Sequence, residues 1–215
     1  TLAFAPTHFD AFWEQLFTPL CAGASVLLRE SDLWAPDELC RRAQRHAVTV
    51  LDLPPQYLRE TLFFLKTNPA AAPDRLRIVI AGGEALPSAL AAEWQDGPLG
   101  AIPLLNAYGP TEAVVTATVH RIEKGARIVT ANGVAPIGFP LPGRELRLLD
   151  PQGREVGEGI AGELYLGGAP LADGYHDDAT RTAERFRHWV RNAAGGRFCE
   201  PGERGSIRLY RTGDR

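Results

Sequence analysis

Along the first hundred residues the apolar positions follow two alternating patterns. Phe9, Phe12, Trp13, Leu16, Phe17 and Leu20 recur at three- and four-residue steps, which predicts a helix with one apolar face. The apolar run 24–28 predicts a strand, and Pro36-Asp37-Glu38 opens a helix reaching about Ala47. Val48-Thr49-Val50-Leu51-Asp52-Leu53 reads as a buried strand stopped by Pro54-Pro55, with a helix marked by Tyr57, Leu58, Leu62 and Leu65 after it. A strand over 76–81 runs into Gly82-Gly83, and a helix over 87–94 leads to a strand over 102–105. Strands alternating with helices in this way predict a doubly wound, mainly parallel α/β sheet with helices on both faces.

Past about residue 125 the pattern changes. Glu145-Leu146-Arg147-Leu148-Leu149 and Glu163-Leu164-Tyr165-Leu166 are short strands set between glycine and proline turns. One helix over 179–190 interrupts them, and the glycine- and charge-rich stretch 192–205 reads as an exposed loop. The organisation expected is an α/β subdomain over 1–125 followed by a β-rich, barrel-like subdomain over 126–215.

Composition narrows the picture. The 215 residues leave room for one large domain or two small ones, and 45% hydrophobic with 23% charged residues is ordinary for a folded chain. A net charge of −3 argues against a nucleic-acid partner, which needs a clustered basic excess. No apolar run approaches the ~20 residues of a membrane span, so no membrane partner is expected. Cys21, Cys40 and Cys199 are odd in number and widely spaced, which suggests neither a disulfide framework nor a zinc site and fits a reducing, cytoplasmic setting. The chain begins at Thr1, so the lack of a leader decides nothing.

Candidate chemistry lies in two segments. Asn106-Ala107-Tyr108-Gly109-Pro110-Thr111-Glu112 directly follows a predicted strand, and ligands of open α/β sheets sit beyond the carboxyl ends of strands. Tyr108 offers an aromatic face, Gly109 close backbone approach, Thr111 a hydroxyl and Glu112 a hard oxygen donor suited to magnesium. The same residues read equally well as a turn in which Gly109-Pro110 reverses the chain. Tyr210-Arg211-Thr212-Gly213-Asp214 could present a carboxylate to ribose hydroxyls or form an exposed turn. Gly162-Glu163-Leu164, Gly167-Gly168 and Gly174-Tyr175 are explained by structural glycines alone.

In their order and spacing, 106–112, 162–168 with Gly174-Tyr175, and 210–214 resemble the adenylation domains of nonribosomal peptide synthetases, which are adenylate-forming enzymes. Phe9-Asp10-Ala11, Gly82-Gly83-Glu84-Ala85-Leu86 and Pro136-Ile137-Gly138 match the same family. Pro170 and Asp173 depart from its usual glycine and arginine, and 187–206 is longer than its usual connection. The resemblance covers the whole chain as the middle of such a domain. The family's phosphate loop would lie before Phe9 and its catalytic lysine after Asp214, so these residues alone are expected not to catalyse.

The resemblance implies activation of an amino acid with ATP and Mg2+ to an aminoacyl-adenylate and pyrophosphate. Transfer to the phosphopantetheine thiol of a carrier domain follows, with neighbouring synthetase domains as further partners. It implies Tyr108 stacking on adenine, Asn106 meeting its amine, and the backbone of Gly83, Glu84 and Ala85, with Gly109, lining the nucleotide. Thr111 would touch phosphate, Glu112 hold the metal, and Asp214 bind ribose. Asp10 would pair with the substrate's α-ammonium. The amino-acid pocket would comprise Asp10, Ala11, Glu14, Asp52, Ile80, Gly82, Ala107, Val115 and Thr116.

Two carboxylates near a pocket floor are costly unless a cation meets them, so Glu14 and Asp52 point to a basic substrate. Lysine ranks first, then ornithine, with arginine or diaminobutyrate behind. The alternative is Glu14 facing solvent and Asp52 capping the helix after Pro54-Pro55. His8, beside Asp10, could border this pocket but reads first as structural; His46 is expected on a solvated arginine-rich face, and Cys21 in the core. Competing functions are an aryl- or fatty-acid ligase, against which Asp10 argues, and an inactive nucleotide-binding or scaffold fragment.

Overall fold

A computed structural model of the chain describes residues 1–30, 32–128 and 132–215. They pack as two compact units. The first comprises Thr1–Tyr108 and Thr118–Phe139, the second Gly109–Ala117 and Pro140–Arg215.

In the first unit β3 (Val50–Leu53), β4 (Ile78–Ala81) and β5 (Leu104–Tyr108) pair in parallel, and β6 (Thr118–Ile122) joins β5 antiparallel. β7 (Phe139–Pro140) completes the order β3-β4-β5-β6-β7. The sheet is thus mixed rather than wholly parallel. The run 24–28 forms only β2 (Leu27–Leu28), which pairs in parallel with β1 (Leu2–Ala3) in a separate two-stranded sheet.

Three helices bury the face carrying Leu51, Leu53, Val79, Ala81 and Leu104. Helix α2 (Pro36–Arg45) has Pro36 at its start, Asp37 and Glu38 in its first turn and Arg42 and Arg45 in its last, all in accord with the helix dipole. It buries Leu39, Cys40 and Ala43. Helix α3 (Pro55–Thr67) buries Leu58, Leu62 and Leu65, and α4 (Ser88–Asp96) buries Leu90, Ala91 and Trp94. Each buried leucine contributes roughly 1.5–3 kcal/mol.

Helix α1 (Asp10–Cys21) forms where its spacing predicts, but with its burial inverted. Phe9, Trp13, Phe17 and Leu20 are 49–55% exposed, while Gln15 and Pro19 are buried. Cys21, expected in the core, is also exposed, because it ends this helix on the open side. Cys40 is the buried thiol, and burial pushes it up to about 11, which makes it inert.

The second unit is an antiparallel sheet in the order β11-β10-β12-β9-β8. Its strands are β8 (Arg144–Leu149), β9 (Glu163–Gly168), β10 (Phe186–Val190), β11 (Arg197–Cys199) and β12 (Ile207–Arg211). Among the described residues this sheet stays open, since its edge strands β11 and β8 do not pair, so the β-rich unit is not a closed barrel. The helix expected over 179–190 ends early: α5 (Ala179–Arg185) gives way to β10, because Phe186 and Trp189 are buried by pairing with β12 and β11. Trp189 donates its indole N–H to the Gly153 carbonyl at 2.7 Å. Strand β11 likewise lies inside the stretch expected to be loop.

Candidate functional site

In the first unit, strand register aligns several of the nominated side chains. Asp52 lies opposite Ile80, and Ile80 opposite Leu105, so all three share the sheet face away from α2–α4. Gly82 and Ala107 continue this face two residues further along β4 and β5. A Cβ on Gly82 would come within 3.3 Å of the Ala107 carbonyl oxygen, so this end of the face stays shallow and lined by small groups.

Helix α1 meets that face through Gln15, which is only 6% exposed. Its Nε2 donates to Asp52 Oδ2 at 3.1 Å and to the Asp52 carbonyl at 3.2 Å. Its Oε1 accepts the backbone N–H groups of Phe4 at 2.7 Å and Ala5 at 2.8 Å. One amide therefore ties the end of β1, helix α1 and strand β3 together. Pattern reading missed Gln15 because it lies opposite the apolar stripe, on the side that a normal amphipathic helix turns to water.

Asp52 keeps a little open surface, yet its carboxyl is enclosed by protein. Burial pushes it up to about 6 against the opposing donation from Gln15. The capping alternative for Asp52 does not hold, since α3 starts after Pro54 with no side-chain cap. Asp10 is the first residue of α1; its Oδ1 accepts the Ala11 N–H at 2.7 Å, and Asp10, Ala11 and Glu14 are half-buried. His8 is exposed, with its ring 4.6 Å from that of Phe9.

Asn106 is on the opposite, buried face of β5, and its amide donates to Pro136 at 2.8 Å and Ala135 at 3.4 Å. Tyr108 is half-buried at the strand's carboxyl end. Gly83, Glu84 and Ala85 form an exposed turn after β4.

The second unit holds the rest of the nominated motif. A 3₁₀ turn over Thr111–Ala113 carries Glu112, which is half-buried. The Tyr175 hydroxyl donates to Glu112 Oε1 at 2.5 Å. Burial pushes the Glu112 carboxyl up, but hydrogen bonds from Tyr175, its own backbone and Tyr210 outweigh burial and hold it below the usual range. Tyr210, buried and bonded to both Tyr175 and Glu112, is pushed well up and stays a neutral phenol. Tyr175 is positioned by its backbone N–H, which donates to the Thr182 hydroxyl at 2.9 Å, and by the Arg181 guanidinium 4.2 Å above its ring. Gly174 is required beside it: φ is +153°, and a Cβ would come within 2.5 Å of Thr182. Of these partners of Glu112, Tyr175 comes from a segment that structural glycines alone explain in the sequence, while Tyr210 opens the candidate segment 210–214.

After Glu112 the backbone is strained. Val114 and Val115 both have positive φ, 56° and 62°, which costs a β-branched residue roughly 1–2 kcal/mol each. Gly109 makes room: a Cβ there would come within 2.0 Å of the Val115 carbonyl oxygen, so the close approach that glycine allows is used by the chain itself. Asp214 is exposed, and its N–H donates to the Thr212 hydroxyl at 3.0 Å while its carbonyl accepts from Leu164 at 2.8 Å. Among the described residues no group of three or more His, Cys, Asp or Glu could hold a metal by itself, and no helix is long and apolar enough to cross a membrane.

A family model described as AMP-binding enzyme matches residues 1–176. Novobiocin biosynthesis protein H of Streptomyces niveus is 37% identical over 213 residues, 99% of this chain and 31% of that protein. Phosphinothricin tripeptide synthetase PhsC of Streptomyces viridochromogenes is 37% identical over 99% of this chain and 17% of its own length. Among solved structures, holo-PA1221, an NRPS protein containing adenylation and PCP domains, matches 99% of this chain and 34% of its own at 26% identity and a TM-score of 0.80. The NpsA N-terminal subdomain of Klebsiella oxytoca shares the fold over 98% of this chain and 49% of its own, with 23% identity and a TM-score of 0.77. The chain spans less than a third of each of these two sequence relatives.

Proposed function

The chain belongs to the AMP-binding enzyme family and is similar to a tripeptide synthetase and to an NRPS protein containing adenylation and PCP domains, and we propose that it activates an amino acid as its adenylate. The acyl group then passes to a carrier-domain phosphopantetheine thiol within a cytoplasmic synthetase. The observation that carries the proposal is Glu112, a half-buried carboxylate gripped by Tyr175 within Tyr-Gly-Pro-Thr-Glu.

The residues fit the groups this reaction needs. Magnesium is commonly held by one or two carboxylates together with substrate phosphates, so Glu112 suffices without an all-protein cage. Bound there, the cation would supply neutralisation of phosphate charge. Thr111 would donate its hydroxyl to phosphate. Asn106 has committed its amide N–H groups to Ala135 and Pro136, so its Oδ1 would accept the adenine amine. Tyr108 would stack on the base, the backbone of 83–85 would border it, and Asp214 would accept the ribose hydroxyls. Asp10 would face the α-ammonium and so orient the substrate carboxylate for attack on the α-phosphorus, a positioning role.

The substrate proposed is basic, lysine or ornithine. Asp52 is held in surroundings that disfavour its charge, and a substrate ammonium would relieve that. Lysine precedes arginine because a compact ammonium can be shared by Glu14 and Asp52, whereas a guanidinium prefers one planar, bidentate partner. ATP–pyrophosphate exchange by the full-length protein, over all proteinogenic amino acids plus ornithine, tests both levels. Lysine or ornithine is expected to lead, and the double variant E14Q/D52N to lower lysine activation ~100-fold or more, since each of the two lost charge partners is worth about the 1.4 kcal/mol that makes a factor of ten. A neutral amino acid in the lead would refute the basic substrate, and no exchange with any would refute adenylation. The 215 residues alone are proposed to be inactive.

A further inference from the structure

Val114 and Val115 sit in consecutive left-handed conformations, and neither is a residue type that adopts this backbone readily. Such strain persists only where neighbouring groups over-determine it. Here one side chain does so. Arg144, the first residue of β8, donates from one guanidinium nitrogen to the Ala113 carbonyl and from the other to Val114 at 3.1 Å and Thr116 at 3.0 Å. Those carbonyls come from both ends of the strained pair. Arg144 is itself anchored: its N–H donates to Leu141 at 3.0 Å, and it lies opposite Gly168 on β9.

We propose that Arg144 is a positioning residue for substrate selection, holding the turn that aims Val115 and Thr116; the inference rests on the assignment of those two residues to the amino-acid pocket. The planar, forked guanidinium is what the task needs, because it reaches several carbonyls at fixed angles. Without it Val115 would relax toward ordinary negative φ, and its side chain and that of Thr116 would swing. Amino-acid recognition would then loosen while groups elsewhere kept their places.

The test is amino-acid-dependent ATP–pyrophosphate exchange by the full-length protein carrying R144A or R144K. R144A is expected to raise KM for the preferred amino acid at least tenfold and to narrow its lead over the next-best one at least fivefold. KM for ATP should stay within twofold. Added guanidinium or ethylguanidinium should restore part of the selectivity to R144A. R144K, a point charge without the fork, should show a smaller loss in the same direction, and it carries the test alone should R144A fail to fold. Unchanged selectivity in R144K and R144A, or ATP and amino-acid KM rising in parallel, would overturn the inference while leaving adenylation intact. A wild type inert toward every amino acid would overturn the adenylation reading, and this inference with it.

Discussion

Replacing Asp52 by asparagine removes a charge from an enclosed site and keeps the shape. The Asn oxygen can still accept the Gln15 Nε2 hydrogen bond that now spans 3.1 Å. In the folded chain the Asp52 carboxyl is pushed from 3.8 to about 6 by burial, whereas in the unfolded chain it titrates near its ordinary value. Below about pH 3 both states are protonated and the wild type loses nothing. Between about pH 3 and 6 the unfolded state ionises ahead of the folded one, so wild-type stability falls as pH rises, and above about 6.5 the loss is nearly complete. At 1.36 kcal/mol per pKa unit the full loss is on the order of 3 kcal/mol, reduced to ~1–3 by the open part of the side chain. Asp52→Asn does not titrate. Its stability relative to wild type should therefore be set by shape alone at pH 3 and rise by ~1–3 kcal/mol by pH 7.5. Urea unfolding of both chains at intervals from pH 3 to 8, followed by tryptophan fluorescence, reads this directly. A difference that stays flat with pH, or shifts against the variant at high pH, would mean that ionised Asp52 is well solvated, and the charge-strain argument for a cationic substrate would fail with it. A gain in stability paired with lost lysine activation would mark Asp52 as kept for function.

Gln15→Leu strips the acceptor from the Phe4 and Ala5 N–H groups and the donor from Asp52, and should cost ~2–4 kcal/mol in urea unfolding. It should also steepen the loss of stability above pH 4, because Asp52 would be pushed further up; a cost under about 0.5 kcal/mol would show that the Gln15 bridge is not structural. Tyr175→Phe removes the hydroxyl on Glu112 Oε1 and should cost ~1–2 kcal/mol at pH 7. Since that hydroxyl helps hold the Glu112 carboxyl low, the wild-type advantage should shrink as pH falls below about 4.5, and an advantage unchanged between pH 7 and 3.5 would remove Tyr175 from that role.

Spacing alone determined helices α2, α3 and α4 and the parallel strands β3, β4 and β5, because those helices bury their apolar faces against one buried sheet face; the pairing of β1 with β2 apart from that sheet left no such pattern. It also placed the 106–112 motif at a strand end, since Leu104–Tyr108 is a continuous strand that stops at Gly109-Pro110. Which side of α1 is buried could not be read this way. Phe9, Trp13, Phe17 and Leu20 of that stripe are exposed, and Gln15 is buried because its hydrogen-bonding neighbours Phe4, Ala5 and Asp52 meet it. The same holds for β10, where Phe186 and Trp189 keep helical spacing but strand pairing on both sides outweighs it. It holds most of all for the chemistry around Glu112. The motif names the carboxylate, but Tyr175 and Tyr210, 63 and 98 residues away, control its charge, and Arg144 stabilises the turn after it. Local periodicity records only what a segment buries against its own element. Hydrogen bonds between distant residues leave no period in the sequence, so the strand register and turns that bring those residues together decided the site.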